Sequence, residues 1–588
     1  MNEAKKKNYI VNSVYRSFLL VCVLSMVSAT LGGLIDNVIV GRFLGTEALG
    51  AMGIVSPVMF LFMALGVLCA SGGAILVSQA LGQGDTARVR NVFSTAVCFD
   101  ALAGVIVCAL GLVFVRPLAA LLGARGTLAE LSVQYLRGFL FSAPAVIALG
   151  VLMQLVQIDG SPRLTLLATV VMTVSDVVFD LLVVVLHAGM LGMALATTLS
   201  NYLAVAVLAF HFRKDSCTLK LVRPRSPLRA FRSMALTSLP AVMTVGGDLV
   251  RTTILNNWLA AISVAAVAAL NVRAQAQNLI GALALGGAQA IAAMTAMFYG
   301  EADREAIGLS LRSALWQGLS LNCAVAVIFA LIPSVFPQLM GLRDGEALQM
   351  ARAAVRWLAV SLPLRFVNLL LSQYYQSTRR TARAVVISLM EVLIAPVLLA
   401  ALLKGPFGVT GVWLAFPAAE VLTLLLILAF LSAGKTHGAL LDRVLALPEG
   451  FGGEEADKLS VSIGNSMDEV MALIGQAYAF GEERGVPRRT LDKLALCIEE
   501  MAGNIVQHAF PPGQQRWFDL LIYVKPDSIF LRMRDNGRPF DPLACLRERA
   551  QDDPEATLGL KVINGITDSF EHRSGVGLNI SLMTLRRE

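Results

Sequence analysis

Three carboxylates lie where the chain is otherwise apolar. Asp36 sits within Gly32-Gly33-Leu-Ile-Asp36-Asn37, and Asp176 and Asp180 interrupt the apolar run Val170–Leu186. An ionisable side chain at mid-membrane depth costs roughly 2.5–3.5 kcal/mol on insertion scales, so it marks a function by default. The i, i+4 spacing of Asp176 and Asp180 puts both on one helix face. Such a pair points to the interior of a helical bundle, where a proton or a metal cation neutralises it. Thr197, Thr198 and Asn201 follow in the next apolar stretch, and their oxygens suit a hard cation such as sodium. At a span end Asp36 would instead merely meet water.

Further charges interrupt the second half at Asp248, Arg251, Arg273, Arg365, Glu391 and Glu420. Asp248 and Arg251, three apart, read as an internal ion pair, whereas Glu391 and Glu420 are placed to line a cavity and attract cations. A different chemistry is written near the C-terminus. Glu500-Met-Ala-Gly-Asn504 closes a helical pattern with Glu500 and Asn504 on one face. Asp535-Asn-Gly537-Arg-Pro-Phe540 follows a strand pattern, and Leu558-Gly559-Leu560-Lys561 opens a helix. Asn504 offers an oxygen to magnesium, Asp535 can accept from an adenine amino group, and the free amides at Gly559 and Leu560 can receive phosphate.

The elements that position these residues fall into two solvents. Of 588 residues, 56% are hydrophobic and 15% charged, against about 45–50% and 25% in soluble domains. The apolar excess is confined to residues 14 to about 432. A membrane helix needs roughly 20 apolar residues. That rule places spans near 14–38, 52–78, 93–115, 132–156, 165–187 and 190–211. A second set lies near 234–262, 268–296, 312–336, 354–376, 384–403 and 409–432. Beyond a linker at 436–457, residues 458–588 have soluble composition. Helices are expected there at 466–482, 488–508 and 558–568, with strands at 518–524, 528–534 and 577–585. The fold class is therefore an all-α polytopic membrane domain of about twelve helices in two six-helix bundles, followed by an α+β sandwich.

The two bundles repeat at a spacing of about 218 residues, over about 10–215 and 230–435. Leu81-Gly82-Gln-Gly84-Asp85 pairs with Tyr299-Gly300-Glu-Ala-Asp303, and Gly189-Met-Leu-Gly192 pairs with Gly408-Val-Thr-Gly411. Two like-oriented bundles are a known transporter plan. The carboxylate trio has no acidic counterpart at that offset, where Ile254, Ala395 and Leu399 stand. It reads as a functional addition to one half.

The net charge of +7 does not indicate nucleic acid, because the densest basic stretch (Arg213, Lys214, Lys220, Arg223, Arg225, Arg229 and Arg232) lies between two apolar spans. With Lys5–Lys7, Arg88, Arg90, Arg163, Arg379, Arg380 and Arg383 it marks one side as cytoplasmic. Fewer basic residues fall opposite, chiefly Arg42, Arg116, Arg125, Arg343, Arg352, Arg356 and Lys404. Both termini are then expected in the cytoplasm of an inner-membrane protein. The eight cysteines show no CxxC pair and no metal-ligand spacing.

Gly33-Leu-Ile-Asp36-Asn-Val-Ile-Val-Gly41-Arg42-Phe-Leu-Gly45 resembles the first helix of the MATE (multidrug and toxic compound extrusion) transporters. Val77-Ser78-Gln-Ala-Leu81-Gly82-Gln-Gly84-Asp85 and Asp176-Val-Val-Phe-Asp180, with Gly189-Met-Leu-Gly192-Met-Ala-Leu-Ala196-Thr197, resemble later helices of that family. The resemblance covers about residues 10–435. It implies sodium- or proton-coupled export of small cationic or amphipathic compounds across the bilayer, with Asp36, Asp176 and Asp180 at the cation site. Many members carry Asn where this chain has Asp176, and the first span here lacks the proline at which some relatives bend.

Residues 458–588 resemble the GHKL ATP-binding fold, and within it the anti-sigma-factor serine kinases. That implies ATP with magnesium on Asn504, Asp535, Gly537, Gly559 and Leu560. Glu500 would be the general base toward a serine of an anti-sigma-factor-antagonist-like partner. The second glycine expected after Gly537 is Pro539, a departure from that pattern. Transport itself is not expected to be ATP-driven, since there is no GxxxxGK[ST] phosphate loop. A membrane sensor with a serine-kinase output, or a lipid-linked precursor flippase, are the other readings. The acidic trio counts against the flippase.

Overall fold

The computed structural model describes residues 9–214, 217–342, 345–432, 440–448, 450–452, 457–511, 513–549 and 558–587. Lys5–Lys7 and Arg343 lie outside them. The chain divides into two compact units. One comprises Phe18–Glu301 and Ser310–Leu447; the other gathers Pro448–Glu588 with Met1–Ser17 and Ala302–Leu309.

The first helical half runs α1 (Tyr9–Ile39), α2 (Thr46–Gln83), α3 (Thr86–Val113), α4 (Val115–Leu121), α5 (Thr127–Leu140), α6 (Ala143–Ile158), α7 (Pro162–Val185) and α8 (Gly189–Ala209). The second runs α9 (Pro227–Ala260), α10 (Val264–Gly300), α11 (Arg304–Leu331), α12 (Val335–Leu339), α13 (Gly345–Ser377), α14 (Thr381–Leu389), α15 (Ala395–Ser432) and the short α16 (Leu440–Leu445). Ten helices among the described residues are long and apolar enough to cross a membrane, or eleven when α5 and α6, bent by 48°, count as one span. One of the ten, Thr381–Leu431, is 51 residues long. At 1.5 Å per residue it would reach about 77 Å, more than twice the ~30 Å hydrocarbon core. Gly408, at φ +57°, breaks it into two helices. Counting that break and the bent pair, twelve segments among the described residues have the length and composition to cross a membrane.

The repeated sequence at Gly82 and Gly300 is a turn with a packing role. Gly84 (φ +73°) stops α2, and the Asp85 carboxylate caps α3 by accepting from the Arg88 amide at 2.8 Å. At the matching places Ala302 takes φ +55° and Asp303 accepts from the Ala306 amide at 2.9 Å. Gly82 lies against the backbone carbonyl of Met297, and Gly300 against that of Gln79. The two contacts are mutual images, and each leaves no room for a Cβ. Small residues at such crossings let helix backbones approach closely, which drives packing where lipid is as apolar as the side chains.

Within the second unit the sheet has order β1-β2-β3-β5-β4, every pairing antiparallel. The strands are β1 (Lys458–Gly464), β2 (Trp517–Val524), β3 (Ser528–Asp535), β4 (Ser569–Gly575) and β5 (Leu578–Arg586). Alternation in β2 buries Phe518, Leu520, Ile522 and Val524, the period-2 pattern of a sheet with one face on a core. Over it pack α17 (Met467–Glu482), α18 (Arg488–Asn504) and, against β4, α19 (Pro542–Arg549) and α20 (Leu558–Ile566). Leu491, Leu494, Ile498 and Met501 form the buried stripe of α18.

Candidate functional site

Asp36 is positioned by a close approach of α1 to α7. Gly32, one turn earlier, has the Thr173 methyl 3.2 Å from where a Cβ would stand, and the Ser28 hydroxyl lies 3.3 Å from that of Thr173. Thr173 in turn precedes Asp176 by about one turn. The approach therefore delivers Asp36 to Asp176 and Asp180, within side-chain hydrogen-bonding reach of both. Asp176 and Asp180 are buried and Asp36 is half-buried.

The trio is short of positive partners. Asp176 accepts from the Ser200 hydroxyl at 3.1 Å. Both carboxylate oxygens of Asp180 and Oδ1 of Asp36 are buried without a hydrogen-bond donor. A buried carboxylate oxygen with no donor is costly, and a proton shared between neighbours or a bound cation would supply what is missing. Tyr135, buried on α5, lies within electrostatic reach of all three.

The second half holds its charges differently. Arg251 pairs with Asp248 and donates to the Val392 carbonyl at 3.1 Å. Arg365 lies 3.6 Å from Glu391. Asn368 donates to the Glu420 carboxylate at 2.8 Å, and the Arg273 guanidinium stacks 3.3 Å from the centre of the Phe416 ring. Acids and bases are interleaved here, so the cluster offers less net attraction for a cation than the trio does.

In the sheet domain the strand register itself gathers the polar groups. The last pair of β3 and β5 sets Asp535 opposite Asn579, and Asn579 donates to Asp535 Oδ1 at 2.9 Å while the Gly537 amide donates to the same oxygen at 2.8 Å. Both bonds fall on Oδ1, so Oδ2 remains as an acceptor. Burial pushes the Asp535 carboxyl up to about 6, against the pull of those two donors. Gly537 packs on Ala509, whose carbonyl accepts from the Arg538 amide at 2.8 Å. Glu500 and Asn504 share a half-buried face of α18. Gly559, in the first turn of α20, lies so close that any side chain there would strike the Glu500 carboxylate. Leu560 is buried beneath that turn, so it offers its amide rather than its side chain.

Residues 22–182 and 240–402, more than half of the chain, match the MatE family model. The chain belongs to the MATE family of multidrug efflux transporters. Residues 465–585 match the histidine kinase-like ATPase domain, so this MATE chain carries a GHKL-like ATPase domain at its C-terminal end. The multidrug export protein MepA of Staphylococcus saprophyticus is 24% identical over 410 residues, covering 68% of this chain and 90% of MepA. The probable multidrug resistance protein YoeA of Bacillus subtilis is 27% identical over 448 residues, covering 71% and 93%. Among solved structures, an outward-facing MATE transporter superposes with a TM-score of 0.65 at 21% identity, over 72% of this chain and 96% of the other. A variant of the Vibrio cholerae MATE transporter VcmN gives 0.67 at 17% identity, over 72% and 98%. Both likenesses concern the fold.

Against the MATE frame, the residues expected from sequence divide into those that meet and those that do not. Asp36, Asp176 and Asp180 come together, and Thr197 reaches Asp176. Thr198 turns the other way: its hydroxyl donates to the Gly138 carbonyl at 2.9 Å and to Ala194 at 2.8 Å, tying α8 to α5. Asn201 spends its amide on the Thr197 carbonyl at 2.7 Å. Consecutive helical positions point about 100° apart, so Thr197 and Thr198 cannot share one ligand direction. On α8 it is Ser200, not Thr198, whose hydroxyl meets Asp176. Asp100, outside the set expected from sequence, is also buried on α3 with Oδ2 lacking a donor. Its interruption of the apolar run at 93–115 was the available signal.

Proposed function

We propose that this MATE chain is a cation-coupled antiporter, using a proton or sodium gradient to export small cationic or amphipathic compounds, with a cytoplasmic ATP-binding domain that regulates it. The observation that carries the reading is the acidic trio, held within the first helical half with buried oxygens lacking donors. Taking up a positive ion satisfies those oxygens and removes the mutual repulsion of three carboxylates; releasing it restores both. An ion that binds one arrangement of the helices better than another shifts the population between them, which is how its gradient moves a substrate. The names of MepA and YoeA as multidrug proteins support the substrate class, and the Lys and Arg bias of the loops supports cytoplasmic termini at an inner membrane.

Everted vesicles containing the full chain test this directly. Drug uptake is followed under separately imposed sodium and proton gradients, in wild type and in Asp36→Asn. Uptake that follows one gradient and falls at least about ten-fold in the variant is expected; uptake indifferent to both gradients overturns the reading.

The sheet domain fits a magnesium nucleotide. Asp535 keeps Oδ2 for an adenine amino group, the first-turn amides of Gly559 and Leu560 have no carbonyl partner within α20, and Asn504 lies on the half-buried face it shares with Glu500. ATP, when bound there, supplies a transferable phosphoryl group. Glu500 stands on the same face as Asn504 and would take the proton from a serine hydroxyl of a partner protein resembling an anti-sigma-factor antagonist. That geometry also favours a second reading, a membrane sensor whose helical bundle reports through a serine kinase.

A further inference from the structure

Away from both sites, three chemically distinct side chains converge where α6 and α8 end. Asp159 follows the last turn of α6, His211 lies in the 3-10 turn Phe210–Arg213 that prolongs α8, and Cys217 stands in the segment beyond it. All three are buried, and a ligand atom of each lies within 4.8 Å of the other two. Nothing in their spacing advertises this, since Asp159 and His211 are 52 residues apart. The fold assembles them, which is why the cysteine pattern alone showed no metal site.

We propose that Asp159, His211 and Cys217 form a binding site for a divalent transition metal of the zinc type, tying the α6–α7 turn to the α8–α9 connection. The donor set is one carboxylate oxygen, one imidazole nitrogen and one sulfur. Zinc accepts all three, at about 2.0–2.3 Å in tetrahedral geometry, which puts neighbouring ligand atoms about 3.3–3.8 Å apart. Calcium and magnesium ask for oxygens only, so the thiol and imidazole select against them. The fourth position remains for water or for the Thr218 hydroxyl, which donates to Asp159 Oδ1.

The surroundings supply the outer support such a site requires. His211 Nε2 lies 2.8 Å from Asp159 Oδ2 and Nδ1 lies 2.9 Å from the Ser161 hydroxyl. Without metal, Nε2–H donates to Asp159 and the serine hydroxyl donates to Nδ1. With metal on Nε2, the ring proton moves to Nδ1 and is donated to Ser161 Oγ. Metal-bound histidines are oriented by such a bond on the other nitrogen. The proton released to solvent is that of the Cys217 thiol, which binds as thiolate. The Thr218 amide, 3.0 Å from Asp159 Oδ2, fixes the carboxylate, and Lys214 donates to Ser161 Oγ at 2.7 Å. Ser161 is thus a positioning residue.

Full-length protein in detergent, stripped with chelator and dialysed against zinc, is assayed for bound metal by elemental analysis. One zinc per chain is expected in wild type and in the control Cys545→Ser, with loss in Cys217→Ser and His211→Gln. Ser161→Ala should bind about ten-fold more weakly. Cobalt(II) titration of the stripped wild type needs no variant: a thiolate-to-metal charge-transfer band saturating at one equivalent is expected. If wild type retains no zinc and shows no such band, the three residues are a hydrogen-bonded latch and the proposal fails. Equal zinc in wild type and Cys217→Ser overturns it too.

Discussion

Asp180 is wholly buried and neither of its carboxylate oxygens has a donor, so its chemistry is dictated by what it lacks. Asp180→Asn replaces an oxygen with an amide that donates, satisfying Asp36 without an exchangeable ion. Gradient-driven uptake should fall at least about ten-fold while the protein remains monodisperse on size exclusion. Thr198→Ala, on α8, is the contrasting case. It removes an interhelical hydrogen bond, which in membrane proteins averages about 0.6 kcal/mol, and leaves the trio intact. A small loss of thermal stability with coupling retained is expected. Asp535 gives a prediction in pH. Its carboxyl is raised to about 6 from an ordinary value of 3.8, so the domain favours the protonated form. The stability this contributes is full below 3.8 and disappears as pH rises through about 6. Nucleotide binding runs the opposite way, because an adenine amino group needs the ionised oxygen. Affinity for a fluorescent ATP analogue, measured on the full chain by anisotropy, should fall as pH drops from 7 through 6. In Asp535→Asn the affinity should be weak and flat across that range.

Elements were legible in proportion to how strongly one period dominated them. The strands expected at 518–524 and 528–534 appear at Trp517–Val524 and Ser528–Asp535; burial alternates throughout the first and over the first half of the second. β4, Ser569–Gly575, reads Ser-Phe-Glu-His-Arg-Ser-Gly; an edge strand with two charged side chains, Glu571 and Arg573, carries no apolar alternation to find. β1 hid for a related reason, lying directly after a polar stretch. Gly450 and Gly452 stand at positive φ in the segment expected as linker, and α16 lies ahead of them, while Gly434 and Gly453 are outside the described residues. In the membrane, composition marks depth but not bends: the span expected at 132–156 is two helices, α5 and α6, broken before Pro144. The glycines of the repeated turn were legible as a pattern, and the structure gives the pattern its cause. Gly82→Val and Gly300→Val should each destabilise by about 2 kcal/mol through overpacking against backbone, seen as a lowered unfolding temperature in detergent. Gly33 has open space around its Cβ position, so Gly33→Ala should be neutral or slightly stabilising.

At the scale of the whole molecule the two helical halves share a plan and differ in charge. The first concentrates three acids without bases; the second interleaves Asp248, Glu391 and Glu420 with Arg251, Arg273 and Arg365. Under the proposed coupling, the ion site belongs on the side where charge is left unbalanced, and that asymmetry is what favours the antiporter over the sensor reading. If the ion gradient drives export, the step that matters is neutralisation of the trio. Glu500→Gln, which keeps the shape beside Gly559 and removes the base, should then leave gradient-driven drug uptake by everted vesicles within about two-fold of wild type, while Asp36→Asn abolishes it. If the helical bundle instead senses a ligand and the sheet domain reports it, the dependence reverses. Glu500→Gln would then silence the output, phosphate incorporation into a serine of the partner, and Asp36→Asn would leave that output standing. Running both variants through both assays in the same membranes separates the two, because each reading requires one variant to be silent where the other requires it to be lost.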